Sequence, residues 1–188
     1  FEPWYAFYPT GLGIDSLSAA MRPSLAETCE DEGVARVAIV AFSMGGLVAR
    51  GALGPAEVQA DLPEIPVFVA ASTPWGGSVH AVFFAKQIHS PETFKDLLPG
   101  SDFMEHLFDD PLPDSTAFHM IYGSGGNSPS VPGEDDGVVE IESLSLPEAL
   151  AEAETVTFYD YLDHQGIVTD PVATARISEL LASALDGE

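Results

Sequence analysis

The sequence predicts an α/β fold in which a mostly parallel sheet carries helices on both faces. Three observations lead there. Short apolar runs alternate along the chain with stretches of helical periodicity. Two of those runs, Val37 to Phe42 and Val67 to Ala71, are continuously apolar, as parallel strands buried on both faces are. Glycine and proline are spread among the intervening turns rather than clustered.

The elements follow in order. Trp4-Tyr5-Ala6-Phe7-Tyr8 is short and aromatic and reads as a strand, broken by Pro9 to Gly13. Ser16 can cap the next helix, which carries Leu17, Ala20, Met21, Leu25 and Ala26 at helical spacing and ends near Glu32-Gly33. The strand to Phe42 leads through Ser43-Met44-Gly45-Gly46 into a buried helix ending near Leu53. Pro55 to Pro66 is a polar connection to the Val67 strand. Residues 79–108 read as helical pieces interrupted by Pro91, Pro99 and Gly100. They are rich in Phe and Leu, and part of them is expected to cap the site. Phe118 to Tyr122 is a further strand, 123–137 a Gly/Ser/Pro/Asp loop, and Thr155 to Tyr159 the last strand. A final helix runs from about Pro171 to Leu185 with Ile177, Leu180, Leu181 and Leu185 on one face. The 188 residues are expected to form one domain, with 79–110 as a helical insertion.

Thirty acidic residues against six basic ones give a formal charge of −24. Such a surface repels nucleic acid and anionic membranes, so neither is expected as a partner. No apolar run approaches the ~20 residues that span a bilayer. The single cysteine, Cys29, excludes an internal disulfide and reads as a small core residue. The chain starts at Phe1 without a visible secretory signal, so it is expected to begin inside something longer.

The chemistry centres on Ser43. Ala41 and Gly45 stand two residues before and after it, the spacing of a nucleophile elbow with Ala in place of the first Gly. A sharp strand-to-helix turn strains the central residue, and bulky flanks would collide. The turn lifts the serine oxygen out of the sheet and aims the Met44 N–H where an oxyanion would form. A serine needs a base, and the base needs an orienting group. Of five histidines, His80, His89 and His106 fall in the helical insertion, and His119 at a strand start reads as structural. His164 lies after the last strand, at the carboxyl edge that also displays the elbow. The acid is sought on the loop after the Phe118 strand. Asp136 is favoured because Gly137-Val138-Val139 can anchor it, with Asp135 as the fallback.

Four segments together resemble the bacterial lipase/esterase branch of the α/β-hydrolase family: Ser43 to Arg50, Ser72-Thr73-Pro74-Trp75-Gly76-Gly77-Ser78, Asp136 to Val139, and Asp163 to Pro171. Tyr8-Pro9-Thr10-Gly11 is similar to a segment of some members. The resemblance implies a Ser43–Asp136–His164 triad, an acyl-enzyme intermediate, and hydrolysis of an ester by water without a cofactor. It also implies that the early strands and the loop supplying a second oxyanion N–H lie upstream of Phe1. Phe42 stands where these lipases often have His, a position that tunes packing under the elbow. Some relatives bind calcium near the histidine. Asp160, Asp163 and Asp170 are oxygen donors in that neighbourhood, but loop acids are expected anyway in so acidic a chain. The expectation is therefore an esterase or lipase without a metal, acting on a small ester with an apolar acyl group. An acyltransferase or thioesterase sharing the triad, and a non-catalytic hydrolase fold, are the alternatives. Compartment and oligomeric state are not legible.

Overall fold

The computed structural model describes residues 2–54, 62–87 and 89–185. Four strands form one parallel sheet in sequence order: β1 (Ile39–Phe42), β2 (Val67–Ala71), β3 (Ala117–Gly123) and β4 (Thr155–Tyr159). Helices α1 (Ile14–Glu32) and α2 (Met44–Leu53) cover one face, and the short α8 (Gly166–Thr169) and α9 (Pro171–Leu185) cover the other. Between β2 and β3 lie three short helices, α3 (Val79–Ala85), α4 (Glu92–Asp96) and α5 (Asp102–His106). Two more, α6 (Ile141–Leu144) and α7 (Pro147–Glu152), precede β4.

Burial explains the strand sequences. All five residues of β2 are buried because β1 and β3 flank it and helices cover both faces, so its apolar run is continuous. The expected buried strand from Val37 to Phe42 is shorter and less buried than its composition implies. It begins at Ile39, and Val40 is 47% exposed because β1 is an edge of this sheet. Trp4 to Tyr8 is not a strand. A strand needs a ladder partner, and this segment pairs with none of the four; Phe7 is 93% exposed and Tyr8 packs against the core.

The first helix begins earlier than Ser16. Gly13 is its N-cap residue, and the Ile14 N–H donates to Asp96 Oδ2 at 2.5 Å, so an acid from α4 satisfies the helix start. Gly33 ends it in the left-handed conformation (φ 66°), where a side chain would be strained. The first seven residues of the expected polar connection from Pro55 lie outside the described residues. Residues 79–108 hold helical pieces, as expected. Phe84 stacks on Phe94 at 5.0 Å, and Phe83 stays exposed. Cys29 is buried and unpaired, and burial pushes its thiol pKa up. No helix of the described residues is long and apolar enough to cross a membrane.

His119 is buried in β3 with Nδ1 2.9 Å from Thr155 Oγ1. Burial pushes its pKa below that of a free imidazole; Glu154 opposes this and Arg176 adds to it. The unfolded chain therefore takes up this proton at a higher pH than the folded one. Stability is full above the unfolded value, near 6.5, and falls as pH drops through the window below it. His119→Gln should remove that component. Between about pH 7.5 and 5.5 the variant should lose less Tm than the parent, and equal losses would count against this account.

Candidate active site

Three loops at the carboxyl ends of β1, β3 and β4 build the site. The first is the turn from β1 into α2. Ser43 has φ 53° and ψ −129°, a conformation that costs a non-glycine residue about 1–3 kcal/mol. The surroundings hold it there: the Ser43 N–H donates to Ala71 O at 2.8 Å, and the Gly46 N–H donates to Ser43 O at 3.0 Å. The steric restriction falls differently from the expectation. A methyl on Gly45 would make ordinary contact, 3.9 Å from Ala41 Cβ and 3.6 Å from Tyr8 Oη, so only larger side chains are excluded there. A methyl on Gly46 would lie 2.0 Å from Thr73 Oγ1, so Gly46 is what lets α2 start so close to the end of β2.

The second loop follows β3 and holds the two adjacent acids. Both are buried, and both accept backbone N–H groups. Asp135 takes those of Gly137 at 2.6 Å and Ser128 at 3.2 Å. Asp136 Oδ1 takes those of Val138 at 3.0 Å and Val139 at 2.8 Å. This leaves Asp136 Oδ2 for the third loop, after β4, where His164 Nδ1 lies 2.6 Å away. The His164 N–H also donates to Asp136 O at 2.6 Å, tying the two loops through their backbones. His164 Nε2 lies 3.0 Å from Ser43 Oγ. With a carboxylate at Nδ1 the ring proton belongs there, which leaves Nε2 to accept from the serine hydroxyl. The structure thus brings Ser43, His164 and Asp136 together, and Asp135 does not touch the imidazole. Phe42 packs on that imidazole, ring centroids 4.9 Å apart, rather than simply filling space under the elbow.

The Gly/Ser run after β3 finds a packing role. A Cβ on Gly123 would meet Leu162 O at 2.3 Å, on Gly125 the Tyr161 backbone at 2.4 Å, and on Gly126 the Gly137 N at 1.8 Å. Only glycine lets this strand end press against the loops that carry Asp136 and His164. The remaining histidines lie elsewhere: His80 Nε2 is 3.0 Å from Ser130 Oγ, and His106 Nδ1 is 2.7 Å from Asp102 O. Asp163 Oδ1 accepts the Gly166 N–H, and Asp170 Oδ1 those of Val172 and Ala173, so both acids cap helices. Among the described residues no group of three or more His, Cys, Asp or Glu could hold a metal ion.

Sequence reasoning missed the anchor at the far end of α2. Arg50 is 1% exposed and binds Glu152 through Nε at 2.8 Å and Nη2 at 2.9 Å, while Nη2 also donates to Asp110 O at 2.7 Å. A lone arginine inside the apolar Leu47-Val48-Ala49-Arg50 run was the available signal, since a buried charge requires a partner.

The sequence model of the lecithin:cholesterol acyltransferase family matches residues 23–94, less than half of the chain. No curated protein matches it. Solved structures do. The mature lipase BlEst2 of Bacillus licheniformis is 20% identical over 90% of this chain and 75% of its own, with a TM-score of 0.70. Phospholipase PlaB of Legionella pneumophila is 17% identical over 76% of this chain and 36% of its own, at 0.60. The esterase PF2001 of Pyrococcus furiosus is 18% identical over 89% of this chain and 61% of its own, at 0.54. The chain thus spans three quarters of the first and less than two thirds of the other two. At these identities the likeness is one of architecture, and the parallel sheet with its strand-to-helix turn agrees with it: the chain has the α/β-hydrolase fold.

Proposed function

We propose that this chain is a serine carboxylic-ester hydrolase acting through an acyl-enzyme. The observation that carries the reading is the hydrogen-bonded relay from Ser43 Oγ through His164 to Asp136 Oδ2. Ser43 Oγ attacks the acyl carbon while His164 Nε2 takes its proton. The same proton then passes to the leaving oxygen as the acyl–oxygen bond breaks, and water repeats the sequence to release the acid. Asp136 holds the imidazole and stabilises its charged form. The Met44 N–H, at the start of α2, is the proposed oxyanion donor; one such donor is worth about 100- to 1,000-fold in turnover. The apolar helical pieces over 79–110, with Phe83, Phe84 and Phe94, are the proposed cap and acyl-chain surface. A rising rate along an acyl chain-length series supports that part, and a flat series removes it.

The test is intact-mass labelling with a fluorophosphonate, which reacts with an activated serine. A single adduct that disappears in Ser43→Ala is expected. A folded protein that takes up none sinks the proposal. The matched family is named for an acyltransferase, which keeps transfer to an alcohol as a second reading. Product analysis with a competing alcohol separates it from hydrolysis, since transfer yields a new ester in place of free acid.

A further inference from the structure

We infer that Phe42 is a positioning residue: its ring keeps the His164 imidazole in reach of Ser43 while the serine carries the acyl group. The inference rests on the serine-hydrolase reading and concerns the second half of that reaction, release of the acid.

The sheet order sets the problem. β1, which leads into Ser43, and β4, which leads to His164, lie at opposite edges with two strands between them. The backbone of the histidine loop is tied to the loop after β3. The Gly125 N–H donates to Leu162 O at 2.8 Å, and the His164 N–H to Asp136 O at 2.6 Å. Toward β1 the imidazole meets two groups. Its Nε2 is 3.0 Å from Ser43 Oγ, and its ring centroid is 4.9 Å from that of Phe42, the planes tilted by 50°.

These two contacts fare differently during the reaction. The serine hydroxyl donates to Nε2 in the free enzyme, but an acylated Oγ has no hydrogen to donate. The bond from Nδ1 to Asp136 Oδ2 then holds the ring at one edge. The terminal torsion of a histidine is soft, so the edge carrying Nε2 can swing. There is room for it: a depression of about 420 Å³, lined by Asn127, Val138 and Gln165, opens beside His164, and neither Ser43 nor Phe42 is among its walls. Acylation leaves the Phe42 contact in place. Phe42 is paired with Ala71 in the ladder and packs on the cluster that includes Ile121, Leu162 and Ile167. Leu162 and Ile167 bracket His164 in sequence, so one apolar cluster fixes both rings.

The position of Nε2 matters most at this stage. Water attacks the acyl carbon and gives a proton to Nε2. The bond from the acyl carbon to Oγ breaks, the proton passes to Oγ, and the acid leaves. Loss of the Phe42 ring therefore slows deacylation, whereas acylation starts with the serine hydroxyl still holding Nε2.

The experiment follows 4-nitrophenyl butyrate on the parent, Phe42→Leu and Phe42→Met chains, with the butyryl-enzyme read by intact mass. Its decay should slow about 10- to 100-fold in the variants, the cost of a misplaced general base. Then kcat and KM should fall together behind a burst of 4-nitrophenol, and kcat/KM, which is set before deacylation, should stay within about twofold. Fluorophosphonate labelling of Ser43 should keep its parental rate, showing a folded site. A purely structural role would instead lower the labelled fraction and leave the decay of any butyryl-enzyme unchanged. Unchanged decay overturns the inference, as does a kcat/KM that falls as far as kcat at constant KM. If neither variant labels while the parent does, Phe42 is needed for the elbow itself and the inference falls. A parent that neither labels nor hydrolyses the ester takes the hydrolase reading down with it. A parent that does both, beside variants with parental decay, removes the inference alone.

Discussion

Replacing Asp136 with Asn is expected to lower ester turnover by about 10⁴-fold while the protein stays folded. The reason lies in how the two carboxylate oxygens are used. Oδ1 accepts the N–H groups of Val138 and Val139, and an amide oxygen can keep both bonds. Oδ2 faces His164 Nδ1 at 2.6 Å, and an amide NH₂ placed there is a donor. The imidazole would have to accept at Nδ1, which moves its proton to Nε2, against Ser43 Oγ. In that tautomer the ring cannot take the serine proton. The variant should therefore lose kcat with little change in thermal stability. Asp136→Ala should lose both, because two backbone N–H groups lose their acceptor. Asp135→Asn is the comparison. Asp135 binds the Ser128 and Gly137 N–H groups and not the imidazole, so its effect should be far smaller. If Asp135→Asn were the more damaging to kcat, the acid would be misassigned.

Arg50→Met should destabilise the fold by about 3 kcal/mol, the lower end of the cost of breaking a buried ion pair, since Arg50 is buried and Glu152 partly exposed. Glu152 would keep only the Leu112 N–H, at 2.9 Å, in place of a bidentate guanidinium. Asp110 O would lose its donor, and the Phe108 ring would lose the cation 5.0 Å from its centroid. Urea unfolding should show a lower midpoint with an unchanged m value. Adding Glu152→Leu to Arg50→Met should recover a large part of the loss, because the pair is then removed together. A cost below about 1 kcal/mol for the single variant would mean that water reaches Glu152 and that the pair behaves as a surface bridge.

Local pattern carried much of this protein. The β2 run and the turn at Ser43 were legible because each is written in a handful of consecutive residues whose burial or turn geometry sets their chemistry, β4 from its β-branched and aromatic residues, and α9 from its helical periodicity. The order of Ser43, the acidic pair and His164 along the chain, with His164 after the last strand, was legible too. Other features depend on contacts far apart in sequence. Trp4 to Tyr8 has the composition of a strand, but composition cannot supply a neighbour to pair with, and without one it stays outside the sheet. Val40 reads as core and is half-exposed because β1 lies at an edge of the sheet, a property of the whole sheet and not of the strand.

The acid shows the division most clearly. Asp135 and Asp136 are adjacent, both buried, and both bonded to backbone N–H groups, so the sequence favours Asp136 only through its neighbours Gly137-Val138-Val139 and leaves Asp135 as a fallback. Successive residues point in different directions, and only the packing of the β3 and β4 loops decides which carboxylate meets His164. That packing depends in turn on Gly123, Gly125 and Gly126, whose missing side chains make room for backbone some 10 to 39 residues away in sequence. Arg50 and Glu152, 102 residues apart, follow the same rule. The sequence by itself determined most of the strands and helices and where a strained serine would be displayed, because residue periodicity and turn geometry are local. Tertiary structure decided which charged groups face one another, because a buried charge is fixed by whatever the distant chain brings to it.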